Sequence, residues 1–182
     1  MTQKNKTTKL VLTACFIALG IVLPFVTMQI PSIGNMLCPM HIPILLCGFI
    51  CGAPYGLIAG IIVPLLRSVM FGKPQMMPIA IAMAAELATY GLATGLLYSK
   101  LRKFKGRIYV SLIFSMILGR MVWGIVSFGL FHMLGNPFTW KFFVMQAFIK
   151  AIPGIIIQLV CIPVIVYQLQ RVQTLENSNG RA

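Results

Sequence analysis

Polar residues fall along this chain in short clusters, and long apolar stretches run between them. The pattern predicts six helices, at about Leu10–Gln29, Pro39–Ile50, Tyr55–Met70, Met76–Ser99, Ile108–Leu134 and Phe138–Gln170. The breaks between them carry turn chemistry: Pro31, Gly34 and Asn35, then Cys51–Pro54, Phe71–Gln75, Lys100–Arg107 and Gly135-Asn136-Pro137. All but the second have roughly the length a bilayer's hydrocarbon core demands. The second, about 12 residues long, carries His41 and is interrupted by Pro43. Helices satisfy every backbone group within one segment, which hydrocarbon requires of a spanning element. The expected fold is therefore an all-α integral membrane protein, a six-transmembrane-helix bundle with a short, Pro-interrupted second helix. Residues 1–9 and 171–182 read as polar tails around one membrane domain, 10–170.

Composition strengthens this picture. Of 182 residues, 59% are apolar and 9% charged, and the mean hydropathy is +0.93; a soluble domain averages about 25% charged. The net charge of +13 comes from 15 Lys and Arg against two Glu. Such a balance can mark a nucleic-acid binder, but here the basic residues flank apolar runs, as membrane anchors do. Three lie in the N-terminal tail and five in Lys100–Arg107, with Arg171 and Arg181 at the C-terminal end; Lys73 and Lys141 fall on the opposite side. The positive-inside rule then puts both termini and the loop between helices 4 and 5 in the cytoplasm, with no nucleic-acid partner. The segment MTQKNKTTKL lacks a small-x-small cleavage site ahead of a polar start, so it reads as the lead into an anchor helix.

The chemistry that is missing narrows function. There is no Asp, no G-x-x-x-x-G-K-[ST] loop, no H-E-x-x-H and no G-x-S-x-G. The five cysteines (15, 38, 47, 51 and 161) are odd in number and lie mostly in apolar runs, as small hydrophobes do; Cys47 and Cys51 share a face but no further ligands complete a zinc set. No enzymatic role, metal or cofactor is expected. The chain binds or moves something and carries no energy-coupling machinery of its own.

Three ionisable groups stand inside apolar runs. Glu86 is ten residues in from Met76, roughly 15 Å. Lys150 is twelve residues in from Phe138, roughly 18 Å from the same side. Arg120 lies fourteen residues short of the outer end of helix 5, roughly 21 Å. Intramembrane charges persist only with a partner or a wet cavity. A structural ion pair is one reading of the three. Two cations against one anion leave a surplus, however, and a visiting anion would balance it. Tyr90 on the face of Glu86, Trp123 and Ser127 on that of Arg120, and Gln146 one turn before Lys150 would give such a cavity an aromatic wall and convergent polar groups. His41 and His132, near outer helix ends, are weaker candidates for ligand contact.

Two small-residue patterns remain. Gly48, Gly52, Gly56 and Gly60 recur every four residues, but a turn divides them into two packing surfaces. Ala14-x-x-x-Ala18-x-Gly20 forms a stripe in helix 1 that would let another helix approach closely, in this chain or in a partner.

This stripe, the six-helix layout, the length and the basic balance resemble the substrate-binding S components of energy-coupling factor (ECF) vitamin transporters, over about residues 10–170. Ala14-x-x-x-Ala18 is similar to that family's A-x-x-x-A motif for docking on the transmembrane coupling (T) subunit. Gly34–Gly52 is similar to the start of the short second helix in one branch. The resemblance implies a multi-pass protein of a prokaryotic plasma membrane. It would capture a vitamin from outside on helices 4–6 and the outer loops, dock on a T subunit with two cytoplasmic ATPases, and topple to release its cargo. The Gly119–Gly124 stretch and the positive surplus look most like the pantothenate branch. The vitamin's carboxylate would then meet Arg120 or Lys150, and its hydroxyl and amide groups Glu86, Gln146 and Asn35. Niacin is the closest competitor as substrate. A proton-coupled secondary transporter working through Glu86 and a membrane scaffold without a ligand are the alternatives of other classes.

Overall fold

The short apolar run after residue 38 becomes a helix enclosed by four of the others. In the computed structural model, which describes residues 6–27, 39–104, 106–135, 139, 145 and 151–179, six helices follow one another. They are α1 (Lys6–Thr27), α2 (His41–Cys51), α3 (Ala53–Phe71), α4 (Ile81–Lys100), α5 (Arg107–Met133) and α6 (Ile152–Asn179), with a wide helical turn, Met76–Ala80, leading into α4. The helix α2 touches α1, α3, α4 and α6 and buries nearly all its residues. Enclosure on all sides explains why its sequence is apolar all round rather than on one stripe. Five other segments, Lys6–Phe25, Ala53–Phe71, Met76–Lys100, Arg107–Met133 and Ile152–Arg171, are long and apolar enough to cross a bilayer.

Pro43 does not interrupt α2. It sits in the first helical turn, where a backbone N–H has no intrahelical partner to lose. Pro78 has the larger effect. Met77 ahead of it is extended (φ −116°, ψ 135°), the conformation a following proline favours. Regular helix therefore starts at Ile81, five residues later than the apolar pattern predicts. At the other end, α6 continues to Asn179 through most of the expected polar tail. Arg171, Gln173, Leu175 and Glu176 are all good helix formers.

The tightest packing is between α3 and α4. Gly56 and Gly91 stack backbone to backbone, so a Cβ on either would overlap the other's main chain, and Gly60 lies equally close to the backbone at Leu87. Gly48 on α2 meets Thr94 and Gly91 of the same helix. The two glycine surfaces of the sequence thus both face α4. Gly52, between them, forms the α2–α3 turn, where its φ of +102° suits glycine. Ile44, Leu45, Leu87, Tyr90, Leu112 and Ile162 centre the core. Outward lie the large apolar residues of α5 and α6, among them Ile117, Ile125, Ile156 and Val160.

Candidate functional site

Tight packing brings α4 and α5 together around one carboxylate. Glu86 is 2% exposed, and Tyr90, four residues on along the same helix face, donates its hydroxyl to Glu86 Oε1 at 2.9 Å. Gly119 makes the approach of α5 possible: a Cβ there would overlap the Tyr90 ring. The next residue, Arg120, then reaches the same oxygen through Nη1 at 3.0 Å. His41 closes the cluster from the start of α2. It is buried, with Nε2 3.6 Å from Glu86 Oε1 and its ring centroid 5.4 Å from that of Tyr90. Neither imidazole nitrogen has a hydrogen-bond partner among the described residues.

A charge-assisted bond and a phenolic donor on one buried carboxylate make a strong local network. Arg120 stands at the middle of the 27-residue α5, while His41 opens α2. Glu86 is five residues, about 8 Å, into the regular part of α4, because the turn before Ile81 is not regular helix. Arg120 also borders a cleft of about 130 Å³ between α5 and α6, walled by Met116, Ile117, Ile155 and Leu159.

Of the residues singled out by sequence, His41, Glu86, Tyr90 and Arg120 come together. Trp123 is half-buried one turn beyond Arg120, and Ser127 is buried on that helix. Asn35, Gln146 and Lys150 lie outside the described residues. His132 is exposed and stacks on Phe128, with ring centroids 6.2 Å apart. Ala14 and Ala18 are both exposed on α1, facing away from the bundle that Thr13, Phe16 and Ile17 pack against.

Two buried polar residues were not assigned a role from sequence. Gln158 on α6 is 1% exposed, and neither end of its amide has a hydrogen-bond partner among the described residues. It shares its stretch of helix with Ile155 and Leu159, which wall the cleft beside Arg120. Its spacing from Ile155 and Ile162 could have flagged it as inward-facing. Arg67 on α3 donates to the carbonyl of Ile21 at 2.8 Å and lies 4.8 Å from the Phe25 ring centroid. Pro24 marks the neighbourhood: it removes the helical N–H that would pair with the Gly20 carbonyl, and Arg67 takes the next carbonyl, that of Ile21.

A sequence model of the family described as "ECF transporter, substrate-specific component" matches residues 8–166. No curated protein and no solved structure matches the chain. The family match runs through all six helices and the whole Glu86 network. The chain therefore belongs to the ECF transporter substrate-specific component family, as a multi-pass, substrate-binding transporter subunit and not an enzyme.

Proposed function

We propose that this subunit captures a small acidic vitamin, pantothenate in first place and niacin next, from outside the plasma membrane of a prokaryotic cell for ATP-driven uptake. The observation that carries the proposal is the buried cluster of Glu86, Arg120, Tyr90 and His41 among the helices of a chain of this family. The cluster combines a cation, an anion, a phenol and an imidazole with a cleft beside Arg120. Such convergence of a few polar groups in apolar surroundings suits a small ligand. In the proposed complex the ligand's carboxylate approaches Arg120 from the side away from Glu86, because like charges repel. Lys150 supplies the second cation. Glu86 accepts from ligand hydroxyls, while Asn35, Gln146 and Trp123 complete the site.

The rest of the proposal follows the charge distribution. Both termini and the basic loop after α4 are cytoplasmic, and residues 10–170 form the membrane domain. Exposed Ala14 and Ala18 dock on a T subunit that carries two ATPases. The test is mass spectrometry of small molecules that stay bound through purification, followed by titration of the purified subunit. Pantothenate retained by the wild type and lost on Arg120→Ala is the expected result. Retention of niacin would change the substrate. ATP-independent uptake by the subunit alone would overturn the coupled mechanism.

A further inference from the structure

Two thiols converge in the later part of α2. Cys47 and Cys51 are 0% and 2% exposed and stand one helical turn apart on one face. Leu12 and Phe16 of α1 and Tyr55 and Ala59 of α3 pack around them. The two thiols lie within hydrogen-bonding reach of each other. Cys47 also donates its thiol proton to Thr13 Oγ1 on α1 at 3.8 Å, and that hydroxyl donates to the Lys9 carbonyl at 2.7 Å. Burial as a small hydrophobe accounts for each cysteine singly, but gives no reason for two sulfurs and a hydroxyl to meet.

Spacing decides what such a pair can hold. A disulfide needs Cβ atoms about 3.5–4.5 Å apart, whereas residues four apart on a helix hold theirs about 5–6 Å apart. Zinc in structural sites takes four ligands, and no group of three or more His, Cys, Asp or Glu gathers among the described residues. A soft d10 ion that takes two thiolates in line makes no such demand. With bonds of about 2.3 Å, the length of zinc–thiolate bonds, it holds its two sulfurs about 4.6 Å apart. Side chains on Cβ atoms about 5–6 Å apart reach that span with the helix intact.

Charge decides the ion's valence, because a charged complex is costly among these apolar neighbours. Two thiolates leave one negative charge on a monovalent ion and none on a divalent one. We propose that Cys47 and Cys51 bind one soft divalent d10 metal ion, of the mercuric type, as a linear and neutral dithiolate. Two S–H bonds break, two sulfur–metal bonds form, and both protons leave to solvent with no change of oxidation state. Thr13 suits the product: once Cys47 has lost its proton, the Thr13 hydroxyl can turn its own from the Lys9 carbonyl to the sulfur. The way in is beside Cys51, the last residue of α2, since among the described residues nothing stands within 4 Å of a Cβ built on the adjacent Gly52. The site shares no residue with the Glu86 cluster and does not depend on which vitamin is carried.

The test is native mass spectrometry of the full chain in neutral detergent, titrated with mercuric chloride in the presence of excess N-acetylcysteine, which competes for single thiols. The wild type should gain one mercury and lose two protons. Cys15→Ser/Cys38→Ser/Cys161→Ser, which leaves both thiols of the pair in place, should do the same. Cys47→Ala should weaken binding by roughly a hundredfold or more, the scale on which two linked donors exceed one. Cys47→Ala/Cys51→Ala should gain no mercury. Uptake retained by this double variant would overturn the proposal. So would loss of uptake by the triple serine variant, a result that does not depend on how the alanine variants fold. A gain of mercury with only one proton lost would mean an adduct on a single thiolate and overturn the two-coordinate site. Displacement by equimolar zinc would overturn it as well, since two donors do not satisfy that ion.

Discussion

Glu86 Oε1 receives Arg120 and Tyr90 directly and has His41 at 3.6 Å, and this crowding sets up the sharpest test of the proposed site. Removing one partner of a buried pair destabilises by about 3–5 kcal/mol, whereas replacing the whole pair is often neutral or stabilising. Glu86→Gln/Arg120→Met keeps an acceptor for Tyr90 and removes both charges. It should fold with a thermal midpoint near that of the wild type. If the pair serves ligand capture, this variant loses ligand-induced stabilisation. If the pair is purely structural, binding measured by calorimetry survives. Gln158 gives an independent prediction. An unpaired buried amide costs about 1–3 kcal/mol, so Gln158→Leu should raise the midpoint of the ligand-free protein. Should the same change weaken vitamin binding at least fivefold, Gln158 belongs to the site; about fivefold corresponds to one lost hydrogen bond of about 1 kcal/mol. Glu86 and Arg120 were legible in the sequence because a charge in an apolar run is rare and costly. Gln158 was less so: an uncharged amide interrupts an apolar pattern only slightly, and whether it has a partner depends on its neighbours in space.

Proline and glycine account for where the elements start and how near they approach. Pro43 and Pro78 look alike in sequence, yet one is absorbed into the first turn of α2 while the other holds Met77 extended and delays α4. The difference is position relative to the first turn, and hydrophobic pattern alone does not register it. The glycine rows were visible as close-packing surfaces, but not that both face α4. The pair Gly119–Arg120 links packing to chemistry, since the missing side chain at 119 admits the Tyr90 ring and brings Arg120 to Glu86. Gly119→Ala should push α5 away and destabilise by about 1–3 kcal/mol, the scale of overpacking. Thermal unfolding in detergent would measure it, and Gly129→Ala on the same helix, with open space around its Cβ position, should have little effect. Arg67 links α1 to α3 through the Ile21 carbonyl and the Phe25 ring. Its place near the end of an apolar run disguised it as an ordinary interfacial cation.

At the scale of the whole molecule, the described residues leave one face of α1 uncovered. Thr13, Phe16, Ile17 and Gly20 turn inward, while Ala14 and Ala18 lie exposed beside Leu10, Val11 and Val22. Their four-residue spacing was legible in the sequence as a packing stripe, but the choice between internal packing and a partner was not, because that depends on which face the bundle takes. Two adjacent small residues on an outward helix face let a partner backbone come close, and within lipid such shape complementarity is a main source of helix association. The stripe is on a different helix from Glu86 and Arg120, so enlarging it leaves the cluster's packing untouched. Ala14→Trp and Ala18→Trp should therefore leave the isolated subunit's vitamin affinity within about twofold of wild type, a change well under 1 kcal/mol. Uptake in cells that carry the complete transporter should nevertheless fall to background, because an indole occupies the space the partner helix needs. The two measurements made together are decisive. Loss of both affinity and uptake would mean that α1 supports the ligand site through the bundle. Survival of both would move the coupling surface to another part of the exposed face.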